Sequence, residues 1–245
     1  MDFQLIGEGM TAKVYLKGNR AIKLYLRASM EQVQEEAMKQ SFAESAGLPV
    51  PKVYGVELFE GGIALEMDYV EGAPLLHPRM DKDERKGAFC RWVALQNAVH
   101  RVDATGLPRL SERLAWRIAR ADLDAGRIAA LLSRLHALDS DAHGLCHGDF
   151  HPLNILVEQG GEVAWIIDWV DAASGDPLAD ACRSYLICRY YLPRMANAYL
   201  KLFCETSGVE RSNVLEWLPI VAAARLGENL TNKEKIWLRE ICEKG

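Results

Sequence analysis

Residues Leu145 to Asp168 read LCHGDFHPLNILVEQGGEVAWIID, and the reading of this stretch decides the fold. Asp149 and Asn154 stand on a short loop, separated by Phe150-His151-Pro152-Leu153. A third oxygen ligand, Asp168, follows the apolar, strand-like run Val163 to Ile167. Three such groups brought together make a place to hold Mg²⁺, which prefers hard oxygen ligands, beside a hydroxyl group.

The chemistry of phosphoryl transfer explains this spacing. Its transition state is loose and anionic, so a protein mainly positions the acceptor hydroxyl and neutralises charge with Mg²⁺. In the kinase pattern H-R-D-x-x-x-x-N the Asp accepts the hydroxyl proton and the Asn turns back to the metal. His147-Gly148-Asp149 precedes Asn154 by the same interval. The next metal ligand in kinases is the Asp of D-F-G, and Asp168 occupies that place. Its neighbours Trp169 and Val170 depart from the motif.

The string H-G-D-x-x-x-x-N followed by Ile167-Asp168-Trp169, with Gly175-Asp176-Pro177 and Asp180 beyond it, resembles the aminoglycoside phosphotransferase and choline kinase superfamily. These are relatives of the protein kinases that phosphorylate small molecules. The resemblance implies an α+β, bilobal, protein-kinase-like fold. Residues 1–70 would form a small antiparallel-sheet lobe with one helix that binds ATP. Residues 71–245 would form a larger, mainly helical lobe with the catalytic loop and the acceptor site. The resemblance also implies that Asp149 is the catalytic residue and that Asn154 and Asp168 hold Mg²⁺. His147 would brace the loop, and Asp180 would be a buried acid tying its helix to that loop.

A chain of 245 residues is long enough for one large or two small domains with a full core. No apolar run approaches the ~18 residues of a membrane helix, and no basic-then-apolar signal pattern opens the chain, so a cytoplasmic location is expected. The six cysteines (90, 146, 182, 188, 204, 242) form no C-x-x-C pair, which argues against a zinc knuckle or a disulfide framework. Most are expected to be buried and reduced. A net charge of −5 offers no basic footprint for nucleic acid. That charge is uneven. From Leu135 to Cys182 there is no Lys or Arg, while Asp139, Asp141, Asp149, Glu158, Glu162, Asp168, Asp171, Asp176 and Asp180 all fall inside. Such a field attracts cations.

Near the N-terminus, Phe3 to Ile6, Lys13 to Leu16 and Ala21 to Leu26 read as strands. Gly7 and Gly9, with Thr11, lie between the first two, where backbone amides can approach phosphates. Ala12 stands where G-x-G-x-x-G has its third Gly, so the segment taken alone equally fits a hairpin turn. Ala21-Ile22-Lys23-Leu24 is similar to the V-A-I-K strand, whose Lys reaches the nucleotide phosphates. A helix over residues 30–46 follows, with an apolar stripe at Val33, Ala37, Phe42 and Ala46 and a stop at Gly47 and Pro49. The resemblance selects Glu36 over Glu35 as the acid that braces Lys23. Strands Lys52 to Leu58 and Ile63 to Asp68 flank Glu60-Gly61-Gly62, a hairpin loop. The second strand runs into a segment similar to the kinase hinge, where backbone groups near Asp68 and Val70 would meet the adenine edge.

From Asp83 onward the pattern is helical: one helix ending near Asp103, then Leu110 to Ala121 and Ile128 to Leu138. His100 and His136 read as core or interface histidines. Asp176-Pro177 is an N-cap with Pro at the first helical position, opening a helix from Leu178. The remainder, Leu192 to Gly245, is helical, with breaks near Gly208 and Pro219.

Phosphorylation of a small-molecule hydroxyl with ATP and Mg²⁺ is the function these features favour. The acidic segment points to a cationic, amine-bearing acceptor, with Asp171 as the acid left over for it. An atypical Ser/Thr protein kinase is the alternative within the fold, although no A-P-E-like segment is present. A non-catalytic nucleotide-binding scaffold is the alternative outside enzymes, and it predicts a missing catalytic group.

Overall fold

The computed structural model describes residues 3–9, 11–59, 61–139, 141–158, 160–161 and 163–244. Met10 of the glycine loop, Glu60 of the hairpin loop and Glu162 of the acidic segment lie outside the described residues. In chain order, β1 (Gln4–Glu8), β2 (Ala12–Lys17) and β3 (Arg20–Tyr25) lead to helix α1 (Met30–Ser45), then β4 (Val53–Phe59), β5 (Gly62–Asp68) and β6 (Gly72–Pro74). Helices α2 (Lys82–His100), α3 (Leu110–Ile118) and α4 (Ala125–Leu138) precede β7 (Gly144–Cys146) and a single turn of 3₁₀ helix, Pro152–Asn154. Strands β8 (Ile155–Glu158), β9 (Ala164–Ile166) and β10 (Ala173–Gly175) follow. The chain ends in α5 (Pro177–Tyr191), α6 (Pro193–Ser207), α7 (Arg211–Glu216), α8 (Leu218–Leu226) and α9 (Asn232–Lys244). Among the described residues no helix is long and apolar enough to cross a membrane.

The chain forms two compact units, one running to Met80 and including Pro152–Asp171, the other Asp81–His151 with Ala172–Gly245. In the first, a five-stranded antiparallel sheet has the order β1-β2-β3-β5-β4. Both faces of β3 are covered, Ile22 and Leu24 packing in one cluster and Tyr25 in another, and Lys23, on the Tyr25 face, is half-buried. In β3 Lys23 lies opposite Val14 on one side and Leu65 on the other. Helix α1 begins at a reciprocal capping box in which Ser29 Oγ accepts from the Gln32 amide and Gln32 Oε1 accepts from the Ser29 amide. It ends before Gly47, whose φ of 82° is a conformation that glycine adopts without steric cost. The segment from Pro152 joins this unit because β8 pairs with both β6 and β9, and the Ile166 amide donates to the Pro49 carbonyl at 2.8 Å.

The second unit is helical apart from the two-stranded β7–β10 ribbon. Its core stacks Trp92 of α2 on Tyr199 of α6, with ring centroids 4.4 Å apart. Helices α5 and α8 are buried along most of their length: α8 is a near-continuous apolar run, whereas α5 also buries Asp180, Arg183 and Ser184. The α+β class and the antiparallel sheet with one helix are as the sequence implies.

Details differ. β1 runs through Gly7 and Glu8, which shortens the glycine loop to residues 9–11. Strands β6, β7, β8 and β10 are too short to carry a readable period. His136 is exposed. Cys90 is exposed and Cys204 intermediate, whereas the other four cysteines are buried, and all six are free thiols.

Close approach constrains Gly62 most tightly. A Cβ there would fall 2.1 Å from the Tyr25 carbonyl oxygen, whereas at Gly55 nothing lies within 4 Å. Gly62→Ala is expected to destabilise the chain by ~1–3 kcal/mol, as overpacking against fixed backbone does, and Gly55→Ala to change it by much less. Urea unfolding of the two variants side by side checks this.

Candidate active site

In the first unit, β3, α1 and the segment after β9 bring Lys23, Glu36 and Asp168 together. Lys23 Nζ donates to Glu36 Oε1 at 2.7 Å and to Asp168 Oδ1 at 2.8 Å. Tyr25 lies two residues farther along the strand, and its hydroxyl donates to the other Glu36 oxygen. Glu36 is 2% exposed. The Glu35 side chain is 46% exposed and pairs instead with Lys39, whose ammonium also donates to the Val170 carbonyl. Burial disfavours the charged Lys23, but Asp168 and Glu36 outweigh it and hold the ammonium well above the ordinary lysine value. Burial, with Glu36 alongside, pushes the Tyr25 phenol up.

Asn154 closes the 3₁₀ turn, and its carbonyl accepts from the Ile167 amide at 3.0 Å. Ile155 is the cross-strand partner of Ile166, so the β8–β9 pairing carries Asn154 and Asp168 to the same end of the hairpin. Asp168 has φ 68°, the one positive φ outside glycine among the described residues. Trp169, fully buried, anchors this turn by donating its indole N–H to the Ile166 carbonyl at 3.1 Å. The Asp168 side chain itself is 43% exposed. An amide oxygen and a carboxylate at one hairpin end are the donor types that Mg²⁺ takes, with water and phosphate oxygens completing its shell. Asp171, partly exposed, lies in the turn that follows.

In the second unit the loop carrying Asp149 is built on Asp180. This acid, 2% exposed, accepts from the Gly148 amide at 2.7 Å, the His147 amide at 3.3 Å and His100 Nε2 at 2.9 Å. Buried His147 turns its Nδ1 to the Asp149 amide at 3.2 Å. The Asp149 carboxylate has a nitrogen-bearing side chain on each side. His151 Nε2 is 3.2 Å from Oδ2, and Arg183 Nη2 of α5 is 3.4 Å from Oδ1. Burial disfavours the ionised form, but the His151 bond and the charge of Arg183 outweigh it and hold the carboxyl well below the usual carboxylate range.

Sequence reading did not single out Tyr25 or Arg183. Tyr25 is two residues from Lys23 in a strand. Arg183 is one helical turn after Asp180 and is the first cation after the cation-free stretch.

The remaining sites are placed as follows. The Gly9 amide closes its own loop on the Ala12 carbonyl at 2.9 Å, Gly7 lies within β1, and Thr11 is exposed. The Asp68 amide donates to the Lys52 carbonyl at 2.9 Å, and its carboxylate takes Arg20 and Tyr54. Val70 lies just past the end of β5, half-buried. The acidic segment is largely engaged. Asp139 holds Arg109, Glu158 the Trp165 indole, Asp168 Lys23, and Asp176 the Leu178 amide at the start of α5.

A family profile described as the phosphotransferase enzyme family matches residues 2–217. The chain belongs to this family. Its members are phosphotransferases, and the lysine, acid and asparagine groups above lie within the matched residues. Among solved structures, a thermostable mutant of aminoglycoside phosphotransferase APH(4)-Ia, in ternary complex with ADP and hygromycin B, superposes with a TM-score of 0.72 at 17% identity. That match covers 99% of this chain and 92% of the other. A choline/ethanolamine kinase family protein from Mesorhizobium loti gives 0.71 at 19% identity, covering 100% and 87%. Choline kinase LicA from Streptococcus pneumoniae gives 0.68 at 17%, covering 100% and 92%. At these identities the likeness is one of fold. The uncharacterized protein YcbJ of Bacillus subtilis (strain 168) is 42% identical over 48 residues, which span 18% of this chain and 16% of that protein.

Because the Asp149 carboxyl is held below its ordinary value of 3.8, its contribution to stability is present in full above that pH and is lost as pH falls through the depressed folded value. Asp149→Asn is therefore expected to melt several degrees below the wild-type phosphotransferase at pH 7, with the gap narrowing below pH 3.8. Paired melts from pH 7 to pH 3 check the sign.

Proposed function

We propose that this phosphotransferase is a cytoplasmic enzyme that transfers the terminal phosphate of ATP, with Mg²⁺, to a hydroxyl of a small, amine-bearing molecule. The observation that carries the reading is Lys23 held between Glu36 and Asp168. A charged lysine fixed by a buried acid and shared with a half-exposed one is the arrangement phosphoryl transfer needs to hold a nucleotide beside its metal.

Each group has a task in this reading. Lys23, braced by Glu36 and with Tyr25 behind that acid, contacts the phosphates of ATP. Asn154 and Asp168 hold Mg²⁺, which when bound supplies charge neutralisation at the phosphate oxygens. The segment after β1, with Gly9 and Thr11, lies over the phosphates, and Gly7 precedes it at the end of the strand. Its Gly9 amide is already used within the loop, so we assign the direct contact there to Thr11. The adenine edge falls to the backbone beyond β5. The Asp68 amide is engaged by Lys52, which leaves the Asp68 carbonyl and the Val70 backbone for this task. Asp149 orients the acceptor hydroxyl and takes its proton. With a carboxyl held so low it is a weak base, which suits a loose transition state in which the proton leaves late.

Of the acids in 135–182, most of which are engaged by protein groups, Asp171 is the one to test against an amine-bearing acceptor. The neighbours' small-molecule substrates, hygromycin B and choline, support the same class.

Asp149→Asn is expected to lower kcat by about 10³-fold or more while ATP binding stays nearly intact, because the change acts on the transition state and not on the nucleotide. Asp168→Ala is expected to abolish Mg²⁺-dependent nucleotide binding. The test is ADP release from Mg-ATP across aminoglycosides, choline, ethanolamine, thiamine, sugars and a generic protein substrate, with Asp149→Asn as the control. Wild-type turnover by that variant would overturn the role of Asp149. Stimulation by the protein alone would replace the small-molecule reading with a protein-kinase one.

A further inference from the structure

Arg183 is a buried cation on α5, and it joins two acids. Its Nη1 donates to Glu228 at 2.7 Å, and its Nη2 faces Asp149 Oδ1 at 3.4 Å. Glu228 is in turn a collecting point. It also accepts from Arg117 of α3 at 3.1 Å and from Arg225 of α8 at 3.0 Å. Arg225 is itself fixed by buried Glu234 of α9, which takes its Nε at 2.9 Å and its Nη2 at 2.8 Å. The guanidinium beside Asp149 is thus backed through Glu228 by groups from three further helices of the second unit, α3, α8 and α9.

The geometry points to Arg183, held by Glu228, as the residue that positions the Asp149 carboxylate. The inference rests on the reading of Asp149 as the group that takes the hydroxyl proton. The groups facing Asp149 are His147 and His151 from its own loop and Arg183 from α5. His147 acts on the Asp149 backbone amide, and His151 takes one carboxylate oxygen. Arg183 takes the other, so the carboxylate plane is fixed from both ends. Without the Arg183 contact Oδ1 loses that donor and the carboxylate plane is held less tightly, and a base misplaced by about 1 Å loses on the order of 100-fold in rate. Glu228 holds Arg183 in place because a guanidinium has five donors in a fixed fork, so one anchored edge sets the direction of the other.

The experiment uses the full chain with Arg183→Lys, Arg183→Met, Glu228→Gln and the Met/Gln double variant. ADP formation from Mg-ATP with water as acceptor gives kcat and KM for ATP separately. Arg183→Met is expected to lower kcat by about 100-fold with KM for ATP unchanged, because the groups assigned to the nucleotide belong to the other unit. Arg183→Lys is expected to restore part of that loss, since it keeps the charge and loses only the fork. Glu228→Gln is expected to lower kcat by about tenfold in the wild-type background, as loss of an outer-shell partner does, and to add nothing in the Arg183→Met background.

Unchanged kcat in Arg183→Met would overturn the inference. So would a Glu228 effect that adds in full to the Arg183 effect, or a rise in KM at constant kcat. Should the wild-type chain form no ADP, the proposed function fails, and the positioning contact is then read by denaturation. Losses in Asp149→Asn and Arg183→Met that are less than additive in the double variant support the contact, and full additivity overturns it. If Arg183→Met does not fold, Arg183→Lys and Glu228→Gln carry the same comparisons.

Discussion

An ionised carboxylate removed from water loses several kcal/mol of hydration unless donors replace it, and Asp180 is such a group. Its donors are two successive loop amides, His147 and Gly148, and side chains of α2, His100 and Gln96. Satisfying this acid therefore decides where the loop runs. Both amides must point inward, and the backbone turns through Gly148 at φ 81°, a conformation that would strain a side-chain-bearing residue. Asp149 is the next residue, so its direction is inherited from Asp180. The position of Asp180 in the first turn of α5 adds the favourable field of the helix N-terminus, whose cap is Asp176. Burial alone would raise the Asp180 carboxyl, and the histidines and amides around it reverse that direction.

The two units place their functional side chains in opposite electrostatic settings. In the first, one ammonium is shared by two carboxylates, so the Lys23 cluster carries excess negative charge, a setting that suits a divalent cation and the anionic phosphates it neutralises. In the second, Asp149 begins an alternating series, Asp149–Arg183–Glu228–Arg225–Glu234, in which each buried charge is met by its opposite. Unpaired, any one of these groups would be costly to bury; with Arg117 also on Glu228, three guanidiniums meet three carboxylates, and together they join α3, α5, α8 and α9. The acidic composition of residues 135–182 is thus not an open field of negative charge. Most of its described carboxylates are occupied by side chains or helix amides; Asp139 and Asp141 are exposed and Asp171 half-exposed.

Chemistry that imposes a fixed interval is legible in a sequence. Asp149, Asn154 and Asp168 stand out because their spacing matches the interval of the kinase pattern, and in the structure loop and hairpin geometry fixes that spacing. The choice between Glu35 and Glu36 needed the resemblance, since both lie on one turn of α1, and burial separates them, 46% exposed side chain against 2% exposed residue. Tyr25 and Arg183 were written in the periodicity, at two residues from Lys23 and three from Asp180, but periodicity names a face and not a partner. Glu228 had no signal of its own. It follows α8 in a turn, and only the packing of α3, α5 and α8 brings guanidiniums to it. The three-residue strands β6, β7 and β10 were silent for the same reason, because their pairing is decided by distant chain and not by local pattern.

The departure from D-F-G at Asp168-Trp169-Val170 has a physical account. A non-glycine residue in the left-handed region costs about 1–3 kcal/mol, so Asp168 needs neighbours that hold it there. Trp169 is fully buried and tethered by its indole N–H to Ile166, and removing a buried aromatic of this size costs about 3–5 kcal/mol. The larger figure wins, so the chain keeps the strained turn in order to keep the tryptophan in the core. On the other side of Asp168, Ile167 is bonded to the Asn154 carbonyl, which fixes the turn from its N-terminal end. The backbone is thus locked on both sides of a carboxylate that stays 43% exposed. The metal-binding role proposed for Asp168 makes two demands at once, a rigid position and an open coordination face. Here a buried indole supplies the first and the left-handed turn supplies the second.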